Sequence, residues 1–146
     1  MIRPATIEDC RAVAELGERF HAEALWSTVV DYVAGDCEAS LRQLIEQGIL
    51  LVADEGQIVG MAGGMIFPFY FNHSHLTGNE LFLWVTPERR GSLGVRLLDA
   101  METEAVRRGC KSWGMNLMES IAPERTEKLF LRRGYRPIER TFVKVF

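Results

Sequence analysis

The sequence predicts an α/β domain of the α+β type with the element order β-α-α-β-β-β-α-β-α-β. Short apolar runs of strand length alternate with stretches whose apolar residues recur at helical spacing. One glycine-rich turn also joins a strand directly to a long amphipathic helix. The length of 146 residues corresponds to a single domain, which we place at 1–146.

Residues 2–5 form the first strand, and Thr6 is the predicted N-cap of the first helix, which continues to about residue 20. Two more helical stretches follow at 27–32 and at 37–47, and the second ends at Gly48.

The middle of the chain is predicted to form three strands. Residues 49–53 and 58–66 are apolar and flank a hairpin turn at 54–57, and residues 79–85 form the fourth strand. Residues 67–77 are aromatic, contain histidines and are predicted to be irregular.

The C-terminal part begins with a strong helix over 92–108, which Gly109 ends. A short strand follows at 112–117. A further helix extends to residue 133 from Pro123 at its start, with Gly134 as its stop, and 135–145 carry the last strand or strands.

Composition and charge exclude several classes of function. The formal net charge of −3 argues against a general nucleic-acid partner, and no apolar run is long enough to span a membrane. Cys10, Cys37 and Cys110 have no C-x-x-C spacing, so no metal site is expected. These features, with no signal-peptide pattern at the N-terminus, predict a cytoplasmic protein with reduced thiols.

The most informative stretch is the turn between the fourth strand and the 92–108 helix. The first N–H groups of a helix have no intrahelical partner and lie at the positive end of the helix dipole, so a phosphate can dock there. Glycines let the backbone approach the ligand, and arginines add positive charge. The residues concerned are Arg89, Arg90, Gly91, Ser92, Leu93, Gly94 and Val95.

This turn resembles the pyrophosphate loop of the GNAT family of N-acetyltransferases, Arg/Gln-x-x-Gly-x-Gly/Ala. Arg89 and Gly94 occupy its ends, and Ser92 stands where the first glycine is usual. Residues 129–135 resemble the family segment Leu-Tyr-x-x-x-Gly-Phe, and residues 80–87 resemble a phage-associated subgroup. The resemblance implies the GNAT fold, with a central mixed, mostly antiparallel sheet flanked by helices.

The resemblance also implies an N-acetyltransferase that moves the acetyl group of acetyl-CoA to a primary amine of a small molecule or protein. The amine attacks the thioester directly in a ternary complex. By resemblance, the Val85 N–H receives the thioester carbonyl, Leu83 and Trp84 line the pantetheine arm, and the 89–95 turn holds the pyrophosphate.

Glu80 is the best candidate for the base, because it precedes the apolar run of the fourth strand and a family base often lies there. Burial would raise its pKa toward neutrality. His73 and His75 are alternatives, since histidine titrates near neutral pH. Phe130 stands where the family usually has a tyrosine near the CoA sulfur. Without that hydroxyl, water protonates the thiolate, Tyr70 or another loop group replaces the acid, or the protein is a weak catalyst.

For the amine acceptor, the sequence offers an aromatic set with polar neighbours, in which stacking or cation–π contact is available. The candidates are Trp26, Tyr70, His73 and Glu80. Any single aromatic residue at these positions more often fills a core or the interface of a homodimer. The main alternative function is a catalytically weak acyl-CoA binder with a regulatory or interaction role, and a pure interaction module comes third.

Overall fold

The computed structural model describes residues 1–146. Its elements are β1 (Ile2–Pro4), α1 (Cys10–Glu23), α2 (Ala34–Gln47), β2 (Gly48–Asp54), β3 (Ile58–Phe69), β4 (Asn72–Val85), α3 (Ser92–Arg107), β5 (Cys110–Gly114) and α4 (Pro123–Arg132). Short 3-10 turns cover Ile7–Asp9, Leu25–Thr28 and Pro87–Arg89. The predicted order is therefore correct as far as α4.

The five strands form one sheet in the order β1-β2-β3-β4-β5. The first four are antiparallel neighbours, and β5 alone runs parallel to β4. Helix α3 supplies the crossover that a parallel connection requires. The predicted class, a mixed and mostly antiparallel sheet flanked by helices, is confirmed.

Two apolar clusters hold the helices on opposite faces of the sheet. Helices α1 and α2 pack on one face around Val13, Leu41, Val52, Met61 and Trp84. Helix α3 packs on the other face around Ile49, Leu51, Val85, Leu97 and Met101. Because side chains alternate along a strand, neighbouring residues of β4 point to opposite faces of the sheet. One residue packs under α1 and α2, and the next packs under α3.

The segment 67–77 is not irregular, as the sequence predicted, but forms the outer end of a long hairpin. Strands β3 and β4 remain paired as far as Phe69 and Asn72, and Tyr70 and Phe71 form its tip. Pro68 obscures the strand pattern because it has no backbone donor. Its position is tolerated because β2 pairs with β3 only as far as Met65, so no bond to β2 is lost there.

Two other predictions are wrong. Of the 27–32 helix only the single turn Leu25–Thr28 forms. The predicted last strand within 135–145 is absent: the segment makes no ladder with β5, and its apolar side chains, such as Ile138 and Phe142, are exposed. Alternation of apolar residues gives a strand only where an edge accepts its backbone.

No helix of the structure combines the length and the apolar character that crossing a membrane requires.

Gly48, the first residue of β2, lies in a tightly packed part of the sheet. A Cβ there would lie 2.4 Å from the Gly64 carbonyl oxygen, a backbone atom held within the sheet. We expect Gly48→Ala to lower the free energy of unfolding by about 2 kcal/mol, as overpacking does. Urea denaturation measures this effect. The matched control is Gly35→Ala, where a Cβ meets nothing within 4 Å and stability should not fall.

Candidate functional site

The site is a cleft that opens where β4 and β5 separate. The parallel pairing runs from Leu76 with Cys110 to Asn79 with Gly114 and ends there. Beyond Asn79, β4 continues to Val85 and remains paired with β3 on its other edge. From Glu80 onward, the edge of β4 that faces β5 therefore has no strand partner.

The register shows which backbone groups face this cleft. The Thr86 N–H donates to the Val59 carbonyl at 2.9 Å, so Gly60 and Val85 form a non-hydrogen-bonded pair of the antiparallel ladder. The N–H and C=O of Val85 consequently point away from β3 and into the cleft. Leu83 lies two residues earlier in the same register and presents its backbone in the same direction.

A bulge in β4 turns Glu80 toward the α3 face of the sheet. Gly63 pairs with Phe82 and the next residue, Gly64, pairs with Glu80, so Leu81 is an extra residue on β4. Without the bulge, Glu80 would share the face of Phe82, on which α1 and α2 pack. The shift places Glu80 at the apex of the cleft, immediately after the last residue that pairs with β5.

Glu80 is buried, with 5% of its surface exposed, and Asn116 is its hydrogen-bond partner. The Asn116 backbone N–H donates to Glu80 Oε2 at 3.0 Å, and Asn116 Nδ2 donates to the Glu80 carbonyl oxygen at 2.5 Å. Burial raises the pKa of Glu80 from 4.5 to about 7, although the hydrogen bonds from Asn116 lower it. This carboxylate can accept and release a proton near neutral pH.

The start of α3 lies beside the end of β4. Gly91 is the N-cap with φ +121°, a conformation that favours glycine, and no side chain caps the helix. A Cβ added to Gly94 would be no closer than 4.0 Å to Leu83 and Val85, so open space remains above the first turn. The unpaired N–H groups of this turn face a cradle that fits an anion.

Both arginines of the turn are paired with acids. Arg89 forms an ion pair with Glu55 in the β2–β3 turn. Arg90 binds Glu23 of α1 at 2.5 Å and donates from Nε to the Val85 carbonyl at 3.1 Å. These contacts fasten the turn to the rest of the protein. Ion pairs exposed to this extent contribute about 1 kcal/mol or less, so an incoming phosphate can compete for the cations.

Trp84 points to the face opposite Leu83 and Val85. Its ring packs in the cluster under α1, and the guanidinium groups of Arg19 and Arg90 lie 5.3 and 5.6 Å from the ring centroid. Its Nε1 lies 3.4 Å from Glu23. The side chains of Leu83 and Val85 instead pack in the α3 cluster. Of the three predicted lining residues, Trp84 therefore directs its ring away from the α3 side, and its N–H and C=O point toward β3 because Met61 and Trp84 form a hydrogen-bonded pair of the ladder.

The predicted acceptor residues are not all brought together. Tyr70 is at the exposed hairpin tip, stacked on Phe71 with ring centroids 4.0 Å apart. His73 lies seven residues before Glu80, or about 23 Å along an extended strand. His75 is five residues before Glu80, about 17 Å along the same strand. All three belong to the outer hairpin and are too far along it to exchange a proton at the apex of the cleft.

Trp26 borders a cavity of about 210 Å³ under α1 and α2. A second cavity of about 250 Å³ adjoins this region, and Phe82 lines both. The linings are mainly apolar, and His21 contributes an imidazole ring to the first of the two cavities. Phe82 lies on the face of the sheet that α1 and α2 cover, so this apolar volume, and Trp26 with it, lies across the sheet from the Glu80 carboxyl group.

Phe130 of α4 packs against Tyr135, with ring centroids 5.4 Å apart. The Tyr135 hydroxyl donates to Glu102 of α3 at 2.8 Å, and Arg133 forms an ion pair with Asp99 of the same helix. Tyr135 is thus tied to α3, and burial raises its pKa. Neither residue offers a free hydroxyl to the cleft.

Sequence reasoning missed Asn116 and Trp113. Trp113 of β5 lies over Gly64 and Gly78, where an added Cβ would clash with its ring, and its buried Nε1 has no hydrogen-bond partner. Neither residue belongs to a motif. Glycines within β3 and β4 indicate that a large side chain packs over these strands, but they do not indicate which residue supplies it. No group of three or more acidic, histidine or cysteine side chains is arranged to hold a metal ion.

Comparison with known proteins gives a family and a set of similar structures. The model of the Acetyltransferase (GNAT) family matches residues 15–135. No curated protein gives a significant match.

Three solved structures illustrate the similarity. A transcriptional regulator from Bacillus halodurans C-125 has a TM-score of 0.78 at 16% identity, over 100% of this chain and 99% of its own. A ribosomal-protein-alanine N-acetyltransferase from Brucella melitensis biovar Abortus 2308 has a TM-score of 0.73 at 17% identity, over 100% and 99%. A predicted acetyltransferase with acetyl-CoA from Clostridium acetobutylicum has a TM-score of 0.74 at 14% identity, over 99% and 94%. Identities this low show a shared fold.

The raised pKa of Glu80 predicts a pH-dependent stability. The folded protein binds the Glu80 proton more tightly than the unfolded chain, so raising the pH from 4.5 to 7 removes stability, by about 3 kcal/mol. Glu80→Gln cannot lose that proton. We expect its stability relative to the parent protein to increase across this window and to level off above pH 7.

Urea denaturation at a series of pH values measures this difference. Glu139→Gln, which changes an exposed glutamate, is the control and should follow the parent protein at every pH. A pH-independent difference for Glu80→Gln would contradict the raised pKa.

Proposed function

The chain belongs to the GNAT acetyltransferase family, and from this we propose that it transfers the acetyl group of acetyl-CoA to a primary amine. The observation that carries the proposal is the cleft between β4 and β5, with a carboxyl group that titrates near neutral pH at its apex. The open helix start beside the same cleft supports an anionic donor. We assign the whole span 1–146 to this one domain.

The donor would lie along the exposed edge of β4. Leu83 and Val85 offer backbone N–H groups to its amide and thioester carbonyls, and the first turn of α3 offers N–H groups to its pyrophosphate. Arg89 and Arg90 would add charge once the phosphate competes with their acidic partners. We assign the anion mainly to the backbone of the residues from Gly91 to Val95, because both guanidinium groups are already engaged.

Glu80 would be the base. An alkylammonium has a pKa near 10, so it must lose a proton before its nitrogen can attack. A carboxylate with a pKa of about 7 is ionised in part of the population at neutral pH and is basic enough to share that proton. The nitrogen then forms a bond to the acyl carbon as the carbon–sulfur bond breaks. The Val85 N–H would stabilise the negative charge that develops on the carbonyl oxygen.

The leaving thiolate would take its proton from water. A thiol pKa of roughly 8.5 makes such a thiolate a tolerable leaving group without an acid. Phe130 has no proton to give, Tyr135 is bound to Glu102, and Tyr70 lies at the far end of the hairpin. The acceptor would be a small-molecule or exposed protein amine that reaches Glu80 through the cleft between β4 and β5.

A catalytically weak acyl-CoA binder is the second candidate function. The absence of a hydroxyl at Phe130 and the pairing of both turn arginines favour it. It differs from an enzyme in one measurable respect: saturable heat on titration with acetyl-CoA, without release of free CoA when amines are added.

Turnover tests the proposed function directly. We expect CoA release with at least one amine in a panel of polyamines, aminoglycosides and peptides with free N-termini. The rate should rise with pH through about 7 as Glu80 ionises. Glu80→Gln should lower the rate about a hundredfold, and Glu139→Gln should not change it. If no amine is acetylated, the enzyme is excluded and the acyl-CoA binder remains.

Gly94 tests the placement of the donor. We expect Gly94→Trp to abolish the heat of acetyl-CoA binding in calorimetry, because the indole would fill the space above the first turn of α3. Gly35→Trp is the matched control on an exposed part of α2, and its binding should equal that of the parent protein. Unchanged affinity in Gly94→Trp would remove the turn from the site.

A further inference from the structure

Asn116 makes two different hydrogen bonds to one residue, Glu80. Its backbone N–H reaches the carboxylate and its side-chain amide reaches the carbonyl oxygen. The two bonds close a ring between the side chain and the main chain of Glu80. A residue held at both places can neither rotate its carboxyl group away nor shift along the strand.

The same bonds explain why the cleft can open at this point. A continuing β5 would have to supply the donor for the Glu80 carbonyl, because a buried backbone acceptor without a partner is costly. Asn116 Nδ2 supplies that donor from a side chain, and Asn79 Nδ2 adds a second at 3.1 Å. The carbonyl is satisfied, so the chain after β5 is free to diverge from β4.

The contact also acts on the charge of the base. Burial favours the neutral carboxylic acid, whereas an N–H donor favours the carboxylate. Both interactions with Asn116 lower the pKa of Glu80 and so oppose the effect of burial. Without them the carboxyl group would stay protonated further above neutral pH and would be a base in a smaller fraction of molecules.

We infer that Asn116 is the positioning residue of the Glu80 base: it holds the carboxyl group at the apex of the cleft and allows β4 and β5 to part there. The inference rests on the proposed function for the role of Glu80, and on the two hydrogen bonds for the contact itself. Asn116 is exposed on its other side, so Asn116→Ala leaves no cavity in the core.

The kinetic test compares Asn116→Ala with Asn72→Ala, an asparagine at the hairpin tip that contacts Ser74. Asn116→Ala keeps the backbone N–H that binds the carboxylate and removes the side-chain amide, which also lowers the pKa of Glu80 and holds its main chain. We expect the pH at half-maximal kcat to rise by about half a unit, and kcat at pH 7 to fall about twofold. KM for acetyl-CoA should stay within about threefold, and kcat should recover largely at pH 9. Asn116→Asp, which adds a like charge, should shift the profile further.

A uniform loss of kcat at every pH, or a shift equal to that of Asn72→Ala, would overturn the inference.

A second measurement needs no turnover. The carboxyl carbon of Glu80 can be titrated by NMR in protein with 13C-labelled glutamate, with the signal assigned through Glu80→Gln. We expect the midpoint to move upward by at least about half a pH unit in Asn116→Ala and to stay unchanged in Asn72→Ala. Identical midpoints would overturn the inference even in an active enzyme. A shifted midpoint in a protein that acetylates no amine would overturn the proposed function and leave the Asn116 contact standing.

Discussion

The separation of β4 from β5 after Asn79 is the constraint on which the rest of the site depends. Strand β3 supports the other edge of β4 throughout, so β4 can leave the Leu83 and Val85 N–H groups unpaired and still hold its place. Unpaired backbone donors beside an apolar core are costly unless something binds them. The bulge at Leu81 falls at the same point and brings Glu80 to the apex, so a proton acceptor and oriented donors meet in one cleft.

Charge in the site is balanced internally. The cations at the start of α3 are held by acids from distant parts of the chain, Glu55 in a turn and Glu23 at the end of α1. This pairing orders the turn without a ligand, and its exposure makes it weak enough for a phosphate to displace. Glu80 differs from Glu55 and Glu23, because it is buried, faces no cation and keeps its proton to near neutral pH. The same residue type therefore serves as a structural anion and as a candidate base.

Local sequence patterns predict an element correctly where the residues that determine it are close together in the chain. Gly91 and the apolar stripe of α3 predict a helix start, and Gly109 and Gly134 end helices with the positive φ that their position requires. The hairpin over 67–77 was missed because its strands are polar or interrupted by Pro68, so only pairing across the hairpin stabilises them. The segment 135–145 shows the opposite case. Its alternating apolar residues are typical of a strand, but no edge of the sheet pairs with it, so no strand forms.

The sequence by itself determined the element order through α4, because turn chemistry and apolar spacing act over a few residues, and it singled out the turn at 89–95 and Glu80 as candidates for the site. Only the tertiary structure decided where β4 and β5 part, which face each residue of β4 occupies, and that Asn116 holds Glu80. It also separated Tyr70 and His73 from the cleft. Contacts between residues 36 positions apart, such as Asn116 with Glu80, arise from strand register, and register is set by the whole sheet rather than by any local pattern.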